Sequence, residues 1–531
     1  MQTIFKKQKA SITIFISLIF TILLSLLLIL VEGIQIGATK VQAKLVAELA
    51  MDSCMAEYHQ ALWKNYHVLY IDDSYGTSKG SMHKLAKHLQ TYVEKNAKQE
   101  LLGCTSFLRL QVPYPEIDDV AFATDEDGKV WKAQAVNYMK TAYGMDMFSN
   151  LIDEMEEYTD GSFMSLDVMS MIDNSANQVK STRRSREEEE QQKLDEQREA
   201  SIASAIQKRK EELEAEGLEM TAEDYANIED DHPRQTVDLG GVSDGRTGIS
   251  LSWLTDTWDS YRGKEILYLV APHQEISDKK LTREELVSYR MKNQSIKEGA
   301  SIDTSFSFPE EILFQEYLYK HYGTYRNPHY ATALSYEMEY ILSGHLSDEA
   351  NLRAYCEKLL ALRMAANLTY LETKDTTKKQ EALLVATGIS IALGAPKAAE
   401  PMQHLLLGIW ALAESCEDVK LILQGEKIAL MKTSEEWNLS LQSVLAGEQR
   451  GKGSKQTLAL DYDGYMRLML FVFAGKNKAP RSMDLAEQNI RQKEHIDTFR
   501  LDHCIYSFRA HFGFEDSKKH SVVFSRKRNY E

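Results

Sequence analysis

The sequence predicts a mainly α-helical protein with a small β component, an α+β chain carried on one N-terminal transmembrane helix. Three observations predict it. Ile12 to Val31 is a run of 20 residues without a charge. Helical periodicity then continues over most of the chain, with no proline from Glu32 to Ile71. Strand-like patterning is confined to short stretches near Val120 and at Glu265–Ala271.

The apolar run comes first. A helix rises about 1.5 Å per residue, so this run covers a hydrocarbon core roughly 30 Å thick. Lipid offers the backbone no hydrogen-bond partners, so a lone segment there has to be helical. Lys6, Lys7 and Lys9 precede the run, and the first charge after it is Glu32. Excess lysine marks the cytoplasmic side. The expectation is a cytoplasmic tail over 1–10, a span over 11–31 and the bulk of the chain outside the cytoplasm. A cleaved signal peptide shares the basic start, but its apolar core is usually about 7–15 residues. Here the core is longer and its helical pattern runs on, so the anchor is read as uncleaved.

Within the anchor, Thr13, Ser17, Thr21 and Ser25 recur every fourth residue, and Gly33 and Gly37 form a GxxxG just beyond. Small residues at this spacing let two helices approach closely, which makes the stripe a candidate for self-association. Hydroxyls that bond their own backbone give the same pattern.

After the anchor, residues 32–180 read as a long helix plus a small α+β region. Val41, Leu45, Leu49, Ala50, Leu62 and Leu69 carry the helical spacing to Ile71, and Tyr75-Gly76 ends it. A second helix fits Met82–Lys98. Val120–Thr124, Asp125–Gly128 and Lys129–Trp131 read as strand, turn, strand. Asp125, Asp127 and Gly128 resemble a scrap of a calcium loop, but no further oxygen ligands or closing glutamate follow. Helices resume from Lys132 to Glu157, with a break near Gly144.

Residues 181–235 form a charged helical or disordered insertion. Pairs such as Glu189 and Lys193 support an exposed helix, while Leu194, Ile202, Ile206 and Leu213 are too sparse for a coiled-coil seam. Residues 236–300 hold glycine-rich turns and the aliphatic run Glu265–Ala271, read as a buried strand. Residues 301–515 read as a helical bundle. Its candidates are Glu311–Tyr322, His329–Gly344, Ser347–Lys374, Thr376–Leu393, Ala399–Gln424, Leu460–Phe473 and Arg481–His511. Residues 516–531 read as a basic tail. Ala382–Ala413 is too interrupted by Gly394, Pro396, Lys397, Glu400 and Pro401 to be a second span.

Lys and Arg total 62 against 79 Asp and Glu, a net charge of −17, which argues against nucleic acid as a partner. Cys54, Cys104, Cys356, Cys416 and Cys504 contain no CxxC pair; disulfides and buried thiols both stay open. His495 and His503 are too far apart in sequence for a helical metal pair. Gly447–Ser454 departs from a phosphate loop at Ala446 and Gly453. Trp410, Glu414 and Asp418 share one helix face. Two carboxylates there suit acid–base chemistry or a cation, but Lys427 and Lys432 follow and favour ion pairing inside the bundle. No catalysis, cofactor or metal is expected.

The stretch KKQKASITIFISLIFTILLSLLLILVEGIQIGATKVQAKLVAELAMDSCMAEYH resembles the N-terminus of a family of Gram-positive bacteria. Its members look like the TadE/TadG-type pseudopilins of tight-adherence pilus and secretion systems. VAFATDEDGKVWKAQAVNYMK, WALAESCEDVKLILQGEKIALMK and LDYDGYMRLMLFVF extend the resemblance. It implies an outward-facing structural component of a Tad-like pilus or secretion assembly, anchored by a single pass. The implied partners are membrane lipid, other pilus or secretion components and a second copy through the transmembrane helix. Type IV prepilins carry glycine and glutamate where Ala10 and Phe15 stand here. The alternative is a tethered extracytoplasmic enzyme or ligand-binding domain with Glu414 and Asp418 in its site.

Overall fold

The computed structural model describes residues 4–98, 110–111, 114–144, 148–159, 167–271, 276–293, 299, 305–446, 453–454 and 459–530. The chain is mainly helical with a small β component. In chain order the helices are α1 (Ile4–Met55), α2 (Gln60–Tyr66), α3 (Met82–Ala97), α4 (Asp125–Tyr143), α5 (Ser149–Thr159), α6 (Val168–Ala215), α7 (Ala222–Asp230), α8 (Leu251–Gly263) and α9 (Ile266–Val270). They continue as α10 (Val287–Lys292), α11 (Phe308–His321), α12 (Glu337–Ser343), α13 (Asp348–Thr373), α14 (Thr376–Ala392), α15 (Ala399–Gln424), α16 (Leu441–Ala446), α17 (Tyr462–Met469) and α18 (Lys478–Glu494). The strands are β1 (Ile71–Asp72), β2 (Glu116–Phe122), β3 (Ile428–Ala429), β4 (Ala459–Leu460), β5 (Cys504–Glu515) and β6 (Ser521–Asn529).

Two compact units result. The first comprises Met1–Asp153, Asp278–Asp348 and Ala474–Glu531; the second comprises Glu154–Ser277 and Glu349–Phe473. Residues 301–515, expected as one bundle, contribute to both.

In the first unit, Ala43, Val46, Ala47, Ala50, Met51 and Cys54 of α1 are buried in one cluster with Leu85, Leu89 and Val93 of α3. Phe508, Ala510, Phe512 and Phe514 of β5 join the same core. Their spacing of two is that of a strand face. β5 is the central strand, pairing antiparallel with β1, β2 and β6.

This overturns three expectations. The helix Arg481–His511 stops at Glu494, where His495 caps it in a left-handed conformation with φ 55°. The segment 516–530 is no free tail: β6 pairs with β5 from Ser507–Asn529 to Glu515–Ser521, and Phe524 stacks on Phe514 and packs tilted against Phe512. Nor does α1 run to Ile71. Just past its end, the Glu57 carboxylate accepts hydrogen bonds from Tyr92 (2.7 Å) and Tyr75 (3.2 Å) and meets His88 Nδ1 (3.1 Å). His59 Nδ1 then caps α2 by accepting from Leu62 N.

Further corrections are local. The turn at Asp125–Gly128 is present, with Glu126, Asp127 and Gly128 at φ 50°, 57° and 79°, but a helix follows it instead of a strand. The Asp125 carboxylate accepts from Phe122 N (2.7 Å) and Gly299 N (2.9 Å). Residues 329–336 are not helical, because Glu337 ties the loop down, accepting from Gly323 N (2.8 Å) and Asn489 Nδ2 (2.6 Å).

The second unit is built round α15, which is buried on nearly every side; α6, α8, α9 and α14 pack on it. Glu265–Ala271, expected as a strand, forms the short helix α9 against α15. The charged insertion is helical as α6, with Val168, Ile172, Ala176 and Val179 buried. Its later turns are solvated and laced with pairs such as Arg183–Glu187 (2.7 Å) and Lys193–Glu190 (2.8 Å).

Two predictions follow from this packing. A Cβ on Gly408 of α15 would stand 2.7 Å from the Ile172 side chain. Gly408→Ala should destabilise by about 1–3 kcal/mol despite the better helix propensity, and I172A in the same chain should restore part of it, read by chemical denaturation. Burial pushes the Asp484 carboxyl up to about 6, and Glu487 adds to the rise, against hydrogen bonds from Ser288 and Tyr340. The folded state therefore holds this proton more tightly than the unfolded chain. The stability difference between wild type and D484N should shift against wild type by up to about 3 kcal/mol as pH rises from about 4 to about 6, then level off.

Candidate functional site

α1 places the anchor. Ile12–Met55 is long and apolar enough to cross a membrane, and its most apolar window is wholly exposed; among the described residues no other helix passes that test. Lys6, Lys7 and Lys9 fall in its first turns. Ser17, Thr21 and Ser25 donate to the carbonyls of Ile14 (2.9 Å), Leu18 (2.8 Å) and Ile22 (2.8 Å), so these hydroxyls are spent on their own helix. Thr13 is exposed beside them. A Cβ on Gly33 or Gly37 would meet nothing within 4 Å, so both leave the helix open to a neighbour.

Past the span, two faces of α1 diverge. Thr39, Ala43, Ala47 and Ala50 are fully buried. The opposite face shows Ile34, Val41, Leu45 and Leu49, 70, 69, 55 and 43 % exposed.

The β5–β6 hairpin clasps the buried side. Asp516 at its tip accepts from Lys518 N (2.8 Å), His520 N (2.9 Å) and Thr39 Oγ1 (3.4 Å). Burial opposes ionisation of Asp516, but its bonds with His520 and the Lys518 amide hold the carboxyl at about 2. Lys518 Nζ donates to Gln35 Oε1 (2.5 Å), and His520 Nε2 lies 3.5 Å from Glu32 Oε1. Farther along, Arg526 meets Glu48 (3.5 Å), Arg528 meets Asp52 (3.0 Å) and Tyr530 donates to the Met55 carbonyl (2.5 Å). Of the cations expected in a solvated tail, Arg526 and Arg528 instead pair with acidic residues of α1, and Lys527 pairs with Asp119 of β2 (2.9 Å). Nothing in the local sequence of residues 516–531 signals this partner.

Trp410, Glu414 and Asp418 lie together in the second unit, all buried. Glu414 accepts from Lys432 Nζ and from the amides of Asn438 and Leu439 (2.9 Å each). Asp418 accepts from Arg363 Nη2 (2.9 Å) and Asn367 Nδ2 (2.9 Å), and its other oxygen forms an ion pair with Lys432 Nζ (2.5 Å). Arg363 also donates to the carbonyls of Ala429 and Leu430 (2.8 Å each), and Trp410 Nε1 to that of Leu439 (2.8 Å). Burial drives the Glu414 carboxyl up against the pull of Lys432, whereas Lys432 and Arg363 overcome burial and hold Asp418 down. Two carboxylates face two cations with no exposed atom on either carboxylate side chain, so the cluster latches residues 428–441 onto α13 and α15 and gives a substrate no access. Of Lys427 and Lys432, the two expected partners, Lys432 takes the place; Arg363 was not legible, since it comes from another helix.

Another face of α15 is open. Cys416, Glu417 and Lys420 line a cleft of about 690 Å³ together with Trp253, Asp256 and Tyr261 of α8. Cys54, Cys356, Cys416 and Cys504 are buried free thiols, and burial pushes that of Cys416 up to about 12. Cys104 and the Gly447–Ser454 loop, apart from Gly453 and Ser454, lie outside the described residues.

Lys432→Met should cost about 3–5 kcal/mol in urea unfolding, because it strands two buried carboxylates on one arginine. Adding E414Q should recover part of that loss.

A model of a family of unknown function, DUF5702, matches residues 250–516, just over half of the chain and reaching into both units. No curated protein and no solved structure matches. The chain belongs to this family of unknown function, DUF5702.

Proposed function

We propose that the protein is a single-pass, outward-facing structural component of a membrane assembly of the pilus or secretion type, and that it performs no catalysis. The observation that carries this reading is the absence of a flexible joint between span and domain. Val31 ends the apolar run and Thr39, eight positions on, is already fully buried. At about 1.5 Å per residue that is some 12 Å of helix, gripped by the hairpin tip along its length. A tethered enzyme works on a flexible linker, whereas a part that transmits position or force needs a stiff one. The exposed stripe Ile34, Val41, Leu45 and Leu49, beside the open Gly33 and Gly37, offers a partner helix or a second copy an apolar face. The resemblance to TadE/TadG-type pseudopilins agrees with this architecture. Lys6, Lys7 and Lys9 support a cytoplasmic N-terminus.

The cleft beside Cys416, Glu417 and Lys420 favours a second reading, a tethered ligand-binding domain. Its site is then this cleft and no longer Glu414 and Asp418.

Both readings share an anchor that resists carbonate and yields to detergent. In cells carrying a C104S chain, an impermeant maleimide should label S517C in intact cells and Q8C only after lysis; the reverse pattern overturns the orientation. L45E and V41E change exposed positions and should leave the melting temperature near wild type. Both should lose the membrane proteins that co-purify with wild type. An unchanged co-purification profile overturns the assembly reading.

A further inference from the structure

Two segments from opposite ends of the chain meet at the start of the sheet in the first unit. Asp72 closes β1, Asp73 follows it, and His503 ends a short turn, Leu501–His503, that leads into β5. Backbone pairing fixes their positions: Asp72 stands across from Cys504, and Asp73 N donates to the His503 carbonyl (3.0 Å). A carboxylate oxygen from each aspartate and a ring nitrogen of His503 all lie within 4.8 Å of one another. Asp73 is buried, while Asp72 and His503 are half-buried, so water can reach the edge of the group. His503 Nδ1 is itself buried and has no hydrogen-bond partner among the described residues.

The surrounding loop is shaped to this cluster. Ser74 N donates to Asp72 Oδ1 (2.8 Å), and Gly80 passes so close that a Cβ there would stand 2.0 Å from Asp73 Oδ1. The Lys84 ammonium closes the same loop by donating to the carbonyls of Ser74 (2.8 Å) and Lys79 (3.1 Å) and to Thr77 Oγ1, which uses its three protons. Arg290 is bound to Glu487 and Asp502 at 2.7 Å each. Two carboxylates held this close repel one another, and a small divalent cation between them is the arrangement that turns the repulsion into binding.

We propose that Asp72, Asp73 and His503 bind one divalent transition-metal ion, Zn²⁺ or Mn²⁺, which staples the loop after β1 to the lead-in of β5. The donor set mixes two carboxylates with one imidazole, which suits these ions better than Ca²⁺ with its six to eight oxygen ligands. Three protein ligands leave the remaining positions to water. The ion adds a cross-link where the chain's two ends are brought together, and its role is structural.

The test uses the full chain in detergent, stripped with EDTA, dialysed and titrated with Zn²⁺ alone or Mn²⁺ alone. Wild type should take up one ion per chain and melt several degrees higher when loaded. The Mn²⁺-loaded protein should show nitrogen coupling from one imidazole in pulsed electron paramagnetic resonance. D73N and H503Q should each bind at least about tenfold more weakly, and H503Q should lose the nitrogen coupling. H503Q changes a half-buried ring and carries the test if D73N does not fold. Failure of wild type to bind either ion below millimolar concentration overturns the proposal. So does unchanged binding in H503Q, which would mean an adventitious ion elsewhere on the chain.

Discussion

One helix changes character along its length, from an exposed apolar run to a face buried in a core, and the first unit is arranged around that change. Over Ile12–Val31, α1 is apolar on every side, as a membrane span would have to be, and Ser17, Thr21 and Ser25 bond back to its own carbonyls. A few turns later the same helix is one-sided. Ala43, Ala47 and Ala50 let α3 and the sheet approach its axis closely, while Val46 and Met51 fill the space beside them. Because α1 stays continuous across this change, the orientation of the span and of the sheet core are set together. The hairpin reinforces the joint where it is weakest, at Glu32–Thr39, by turning charges that would otherwise be solvated into partners of the helix.

Buried charge does a related job inside each unit. In the second, Arg363 and Lys432 balance Glu414 and Asp418, and Arg363 of α13 reaches both Asp418 of α15 and the carbonyls of Ala429 and Leu430. In the first, Arg290 bridges Glu487 and Asp502, and Glu487 also accepts from Leu501 N (2.8 Å) and pairs with Arg491 (2.6 Å). Such networks add little net stability over an apolar core, but they penalise any other arrangement of the same helices by leaving a charge unpaired. That suits a chain whose cores are assembled from segments far apart in sequence.

The continuous helix from the apolar run into the core and the exposed apolar face of α1 are the two features on which the proposed structural role rests. If Ile12–Val31 spans a bilayer, the unit gripped a few turns later has little freedom of its own to sample substrates. The carboxylate pair Glu414 and Asp418 is sealed, whereas the cleft on the other side of α15 is open.

Local chemistry determined the elements it alone controls. The apolar run, the helical spans Met82–Ala97 and Ala399–Gln424 and the solvated helix of the insertion are written in composition and spacing, because helix formation and lipid partitioning depend on near neighbours. A lysine partner for Glu414 was legible nearby in sequence, but not which of Lys427 and Lys432 it would be. The strands were less legible. Phe508, Ala510, Phe512 and Phe514 carry a spacing of two, but their partners β1 and β2 lie near the other end of the chain and pair with them only once the two ends meet. The end of α1 at Met55 depends on Tyr75, His88 and Tyr92 capturing Glu57, and the fate of the basic C-terminus depends on Glu48 and Asp52. Arg363 beside Asp418, and His503 beside Asp72 and Asp73, are likewise contacts that no spacing rule reaches. Sequence alone fixed what each segment prefers next to itself; only the tertiary structure decided which distant charges and edges complete it, because those interactions exist only once the segments are brought together.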